Sequence, residues 1–379
     1  MLRARVAFVV ALLAVAPALG QAVPGPTAPA PTLEEVREAM GIPSAGEVRG
    51  QLDTVGFASR PGQMAKVWDL SEMPPAPEAL GPDPPPGVLA LIAPHDDYLY
   101  AGRVYRRVLP LVTARTVVVV GVFHKYRRFG ARDRAVFDSY RAWRAPDGEV
   151  PVSGLRGEIL EALSIEDYVQ DTAMQDSEHS VEALVYWLRH ARPDLEIVPV
   201  LVPGARFDRL REIAERAGSA LASAMKRRGL ALGKDVAVVI STDGVHYGPD
   251  FGHVPFGDGG IEAYAAATAR DREILTQRLS GTVTVEGARS LQATLVDPDD
   301  PDRYRIPWCG RFSIPFGLLL VRRAALDLGL GEPRLLPLAY ATSVGSPEIP
   351  VRDVGLGETA PANLYHFVGY PAAAVVAGP

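Results

Sequence analysis

Val117-Val118-Val119-Val120-Gly121-Val122-Phe123, followed at once by His124, is a β-branched apolar run without alternation. A parallel strand with both faces covered reads this way, because neither face presents polar side chains to water. Two further runs share the pattern: Val88-Leu89-Ala90-Leu91-Ile92-Ala93-Pro94 before His95, and Val236-Ala237-Val238-Val239-Ile240-Ser241-Thr242 before Asp243 and His246. In an open α/β sheet the ligand crevice lies beyond the carboxyl ends of the strands, so residues that end strands converge there however distant they are in sequence. His95, His124 and His246 all occupy such ends.

Outward from these runs, helical periodicity is expected at Arg103 to Val112, Leu155 to Ser164, His179 to Arg192, Phe207 to Arg228, Gly260 to Leu279 and Phe312 to Leu328. Further strands are expected at Leu195 to Val202, at Arg334 to Thr342 and near His366 to Val376. Strands alternating with helices predict an α/β three-layer sandwich, with a mostly parallel central sheet and helices on both faces. Pro74 to Pro86 is a proline-dense loop, and no internal repeat is visible.

The 379 residues are 47% hydrophobic and 22% charged, enough to bury a substantial core in one large domain. Net charge is −6, and it becomes more negative without the first twenty residues, which hold Arg3 and Arg5 and no acid. An acidic chain with scattered arginines excludes nucleic-acid binding as an expectation. Arg3 and Arg5 precede an apolar stretch from Val6 to Ala18, and Ala18-Leu19-Gly20 offers small residues for cleavage. Residues 1–20 therefore read as a secretory signal peptide, which predicts export to the periplasm or the extracellular space. Residues 21–47 read as a Pro/Ala-rich disordered linker and residues 48–379 as a single α/β domain. No stable membrane span is expected.

Cys309 is the only cysteine, so no intrachain disulfide can form in an exported protein. It is either a small core hydrophobe or a bound thiolate. Pro307, Gly310 and Arg311 suggest a turn into the helix from about Phe312, where a thiolate would meet free backbone N–H groups. Together with the strand-end histidines, Cys309 suggests one metal site assembled from distant segments. Imidazoles and a thiolate suit a borderline or soft ion.

The ordered motifs resemble the MEMO-like family, also called AmmeMemoRadiSam system protein B, which is related in fold to LigB-type class III extradiol dioxygenases. The resemblance runs from about Val88 to Tyr370. It is carried by Ala93-Pro94-His95-Asp96-Asp97-Tyr98, Gly121-Val122-Phe123-His124, Asp176-Ser177-Glu178-His179-Ser180-Val181-Glu182, Ser241-Thr242-Asp243-Gly244-Val245-His246-Tyr247-Gly248 and Cys309-Gly310-Arg311. What the resemblance implies is a LigB/MEMO-like fold and a mononuclear metal ion held by His95, His124 and Cys309. Fe(II) is the favoured ion, with Cu or Zn as alternatives. His246 would act as acid, base or outer ligand, and oxygen or a small-molecule substrate would take an open position. The same resemblance names radical SAM and AMMECR1-type proteins as candidate partners, although export would separate this chain from a radical SAM enzyme.

The sequence departs from the relatives at several points. Cys309 stands where ring-cleaving relatives carry a carboxylate, Lys125 follows His124 where a second histidine is common, and Asp96-Asp97 replaces a small pair. Phe57-Ala58-Ser59 is all that is left of an early aromatic element. Each remaining candidate carries two readings. Asp243 either holds His246 by a hydrogen bond or caps a turn. Asp176, Glu178 and His179 either line the site and orient a ligand or belong to a helix start. Asp96, Asp97, Tyr98 and Tyr247 are candidate pocket walls, and Arg311 is a partner for a substrate carboxylate or a buried acid. His190, His253 and His366 are placed outside the site. Two function classes follow: an exported metal-dependent oxidoreductase, and a non-catalytic metal-binding or interaction protein on the same fold. A zinc hydrolase is a third, because a three-ligand site with a nearby base also suits water activation.

Overall fold

The computed structural model describes residue 44 and residues 46–378. The expected signal peptide and nearly all of the expected linker lie outside the described residues. Six strands build the sheet around the site: β1 (Ala90–Ala93), β2 (Thr116–Val122), β3 (Glu196–Val202), β4 (Val236–Ser241), β5 (Arg334–Thr342) and β6 (Phe367–Val376). The helices of eight or more residues are α1 (Pro61–Leu70), α2 (Tyr98–Val108), α3 (Leu155–Ala162), α4 (Glu182–Ala191), α5 (Phe207–Arg228), α6 (Ile261–Arg278), α7 (Val285–Leu295) and α8 (Ser313–Asp327).

The three apolar runs form the parallel centre of the sheet. β4 lies between β1 and β2, with Ile240 opposite Ile92 and Val238 opposite Val118, and β3 continues on the far side of β2 with Val200 opposite Val120. Outside this centre the sheet is mixed. β6 runs antiparallel to β1, β5 antiparallel to β6, and Ala135–Phe137 antiparallel to β3. The chain is thus α/β with a large mixed sheet: a parallel centre, antiparallel joins on both sides of it, and one further parallel pair at the edge between Ala135–Phe137 and Tyr168–Gln170. A Pro/Gly-bounded apolar run does not encode the direction of its neighbour, which is why the antiparallel flank escaped the sequence pattern.

Successive side chains on a strand point to opposite faces, so an unbroken valine run feeds two cores at once. Val118, Val120, Val238 and Ile240 pack with Leu210 and Leu221 of α5 and Phe316 and Leu320 of α8. Val117, Val119, Ala237 and Val239 pack on the other face with Met64 of α1, Val104 of α2 and Leu184 of α4. Helices therefore cover both faces. α1, α7 and the short strands at Ala142–Ala145 and Gly148–Pro151 had no clear signature in the sequence. No helix among the described residues is long and apolar enough to cross a membrane.

The topology sets the site. With β4 in the middle, the turn carrying Asp243 and His246 leaves the sheet between His95 at the end of β1 and His124 at the end of β2. Strand spacing of about 4.8 Å brings all three to one crevice.

Candidate metal centre

His95, His124 and Cys309 place their donor atoms within 4.8 Å of one another, as do Asp243, His246 and Cys309. The thiol is common to both groups. His124 Nε2 lies 3.3 Å and His246 Nε2 3.7 Å from Cys309 Sγ. An ion about 2.3 Å from sulfur and about 2.0–2.1 Å from an imidazole nitrogen separates those donors by about 3.5 Å at a tetrahedral angle. The two observed separations bracket that value.

The chain brings Cys309 here by docking one turn on the end of β4. Cys309–Arg311 forms a single 3₁₀ turn before α8. The Cys309 N–H donates to the Asp243 carbonyl (3.2 Å), the Gly310 N–H to Thr242 Oγ1 (3.0 Å), and Ser313 Oγ to the Ser241 carbonyl (2.7 Å). The backbone N–H groups expected to meet the thiolate are thus used in docking, and imidazoles face it instead. A Cβ on Gly310 would lie 2.2 Å from Thr242 Oγ1, so no side chain fits. Gly310→Ala is expected to destabilise the fold by about 1–3 kcal/mol and to weaken metal uptake, read from denaturation curves and metal titration.

Each imidazole is held so that its Nε2 faces the thiol. Ser241 Oγ gives its only proton to the Ser180 carbonyl (2.8 Å), so it accepts from His95 Nδ1 (2.7 Å). His124 Nδ1 donates to Glu178 Oε1 (2.9 Å). His246 Nδ1 faces two carbonyl oxygens, of Gly244 and Pro307, each 3.1 Å away. All three rings therefore carry their proton on Nδ1, leaving Nε2 for a proton or a metal ion. Asp243 serves His95 rather than His246: Oδ1 accepts from the His95 N–H (2.9 Å) and Oδ2 lies 3.2 Å from His95 Nε2. A bare nitrogen lone pair facing a carboxylate is repulsive, so a cation or a proton belongs between them.

The electrostatics agree. Burial opposes ionisation of Cys309, yet His246 and His124 outweigh it and hold the thiol well below its ordinary range. Burial also opposes the charge on His124, but Glu178 and Cys309 raise it well above the usual imidazole value. His246 is raised to about 9 against the same burial, chiefly by Cys309. Burial lifts Asp243 to about 6. These directions favour a thiolate beside charged imidazoles, and a bound ion would take the place of the imidazole protons.

The cluster forms the floor of a cavity of about 350 Å³. His124 is open to it, with 31% of its side chain exposed. The sequence candidates Asp96, Asp97, Glu178 and His179 line the cavity, with Lys125, with Phe57 of the reduced aromatic element, and with Asp53 and Phe251, which carried no signal. Asp96 accepts from the Tyr370 hydroxyl (2.7 Å), and Asp97 accepts from Thr359 N–H (2.6 Å). Burial and the neighbouring Asp96 raise Asp97 to about 8. His366 also reaches the cavity, contrary to its expected place outside it, and pairs with Asp250 (3.2 Å).

Four candidates lie behind the walls. Tyr98 is fully buried and donates to the Ala183 carbonyl (2.8 Å). Tyr247 stacks on Phe367 and donates to the Gly257 carbonyl (2.6 Å). Asp176 accepts from Tyr140 (2.6 Å) and does not begin α4, whose first residue is Glu182. Arg311 does not line the cavity and, among the described residues, pairs with no acid: it donates to the Trp308 carbonyl (2.8 Å) and stacks 3.6 Å over Tyr304. Its part is to brace the Cys309 turn.

Glu178 was visible in the sequence as one acid among several, and the structure gives it a specific part. Besides His124 Nδ1, its carboxylate accepts the N–H groups of His124 (2.7 Å), His179 (2.9 Å) and Ser180 (2.9 Å). These contacts, led by the charge of His124, overcome burial and hold it well below the usual carboxylate range. Glu178→Gln is expected to weaken metal binding roughly 10- to 100-fold, as loss of a ligand's outer partner does. A competition titration against a chelator measures it.

A mixed sheet whose strand ends bring three imidazoles and one thiol to the floor of a cavity defines an α/β protein with a candidate metal centre. The profile of the family described as Memo-like protein matches residues 77–343, which hold all four donors, and the chain belongs to that family. It is 32% identical over 178 residues to a MEMO1 family protein of Thermococcus kodakarensis, covering 45% of this chain and 56% of the relative. A MEMO1 family protein of Archaeoglobus fulgidus is 32% identical over 164 residues, covering 43% and 57%, and one of Caldivirga maquilingensis 28% over 166 residues, covering 43% and 54%. The match thus spans a little over half the length of these relatives.

Proposed function

We propose that this Memo-like protein is an exported, mononuclear metal protein of the oxidoreductase class, in which His95, His124 and Cys309 hold the ion. The observation that carries this reading is that the donor atoms of His95, His124 and Cys309 lie within 4.8 Å of one another, with the Nδ1 protons of both imidazoles already committed to Ser241 and Glu178. A mixed nitrogen and sulfur donor set suits Fe(II) first, with Cu or Zn as alternatives. When bound, the ion would supply Lewis acidity and, if iron or copper, electron transfer.

The chain's own residues supply the rest. Glu178 and Ser241 fix the rings of His124 and His95. His246 is placed to hold or release a proton at Nε2, directly beside the thiol. Phe57 and Phe251 give the cavity apolar walls that suit a small ring or chain, and Lys125 offers a cation to an anionic substituent. Arg3 and Arg5 before the Val6 to Ala18 stretch support export.

The test is the metal content of the chain from Gln21 onward, purified without oxygen, followed by oxygen uptake with small phenols. About one iron or copper per chain, with uptake that disappears in His246→Ala, is the expected result. Tight binding without uptake would favour the non-catalytic metal-binding reading. Protein that is metal-free and takes up no added ion would overturn the proposal.

A further inference from the structure

The His246 turn and the Cys309 turn are separated by more than sixty residues, yet one carboxylate holds both. Asp271 sits on α6, 1% exposed. Its Oδ1 accepts the Trp308 indole N–H at 2.7 Å, while its Oδ2 accepts the Val245 N–H at 3.0 Å and the Tyr340 hydroxyl at 2.9 Å. Trp308 immediately precedes Cys309, and Val245 immediately precedes His246. Each oxygen therefore grips the residue one step before a donor of the centre. Burial raises Asp271 to about 6, and the three donors keep it a carboxylate at neutral pH.

We propose that Asp271 is a positioning residue for the metal centre. It belongs to none of the candidate ligand groups and does not line the cavity, and it sets the spacing between Cys309 Sγ and His246 Nε2. The inference rests on reading the centre as a metal site. The carboxylate is required because three donors meet two oxygens. An asparagine has one acceptor oxygen, and its amide N–H groups would face either the indole N–H or the peptide N–H and hydroxyl. Tyr340 belongs to β5 and carries no donor of the centre, so it separates general support of the fold from control of the site.

The experiment titrates Co(II) into the full chain and into Asp271→Asn, Trp308→Phe and Tyr340→Phe, following the thiolate-to-cobalt absorption, with thermal melts of each metal-free protein. Asp271→Asn and Trp308→Phe are expected to weaken Co(II) binding roughly 10- to 100-fold and to shift the absorption. Tyr340→Phe is expected to keep affinity and spectrum near wild type even where its melting temperature falls as far. Trp308→Phe keeps the test open if Asp271→Asn does not fold. Wild-type affinity and spectrum in Asp271→Asn, or an equal loss in Tyr340→Phe, would overturn the positioning part while leaving the metal site standing. A wild type that takes up no Co(II) would overturn both.

Discussion

Cys309→Ala is expected to lower metal affinity by at least roughly 100-fold, more than the 10- to 100-fold loss typical of a ligand's outer partner. The thiol is the one donor shared by the two groups that could hold an ion around it, so its removal disables both. It also removes the negative charge that raises His124 and His246, leaving imidazoles without a soft anionic donor to complete the set. Cys309 is small and, among the described residues, its sulfur meets only imidazoles, so the fold should survive. Metal content after dialysis, measured beside the melting curve, reads both effects. Unchanged binding would move the ion to His124, Glu178 and His179, a group that does not use the thiol.

Arg49→Ala is expected to cost about 3–5 kcal/mol of stability, the usual result of removing one partner from a buried ion pair. Arg49 is 1% exposed and Glu182 is fully buried, and the guanidinium pairs with that carboxylate through Nη1. Its Nη2 donates to the carbonyls of Gln175 (2.8 Å) and Glu178 (2.7 Å), and the group lies 4.1 Å over Trp143. The Glu182 carboxylate accepts the N–H groups of Leu52 (2.8 Å) and Asp53 (3.1 Å). Truncating Arg49 strands the carboxylate and loosens the segment that presents Glu178 to His124. In urea denaturation the double replacement of Arg49 by Met and Glu182 by Leu should recover part of the loss, because the Glu182 carboxylate is no longer buried without its cation; Asp176, 3.6 Å from Arg49 Nε, still loses that neighbour, so recovery is incomplete. A loss below about 1 kcal/mol in the single variant would show that water reaches the pair.

The sheet's centre was legible because an apolar run ending at a histidine states both burial and strand end. His95, His124, His246 and Cys309 come together for that reason, although they span more than two hundred residues. What failed to show were partners chosen by the fold. Nothing local marks Asp271, four residues after Ala267 on an ordinary helix, as the acceptor of an indole 37 residues on. Arg49 lies in a segment with no periodicity and meets Glu182 only after folding. The sequence offers Asp243 either to His246 or to a turn cap, but the turn after β4 aims its carboxylate across to β1 and His95. Tyr98 and Tyr247 stand beside site motifs, yet helix and strand direction turn them into the core.

The most direct test of the central claim is an anomalous difference map from crystals of the chain grown without oxygen in the presence of Fe(II). The account predicts one ion about 2.0–2.4 Å from His95 Nε2, His124 Nε2 and Cys309 Sγ. An ion bound elsewhere, or a cluster that stays empty while Fe(II) is present in excess, would contradict it.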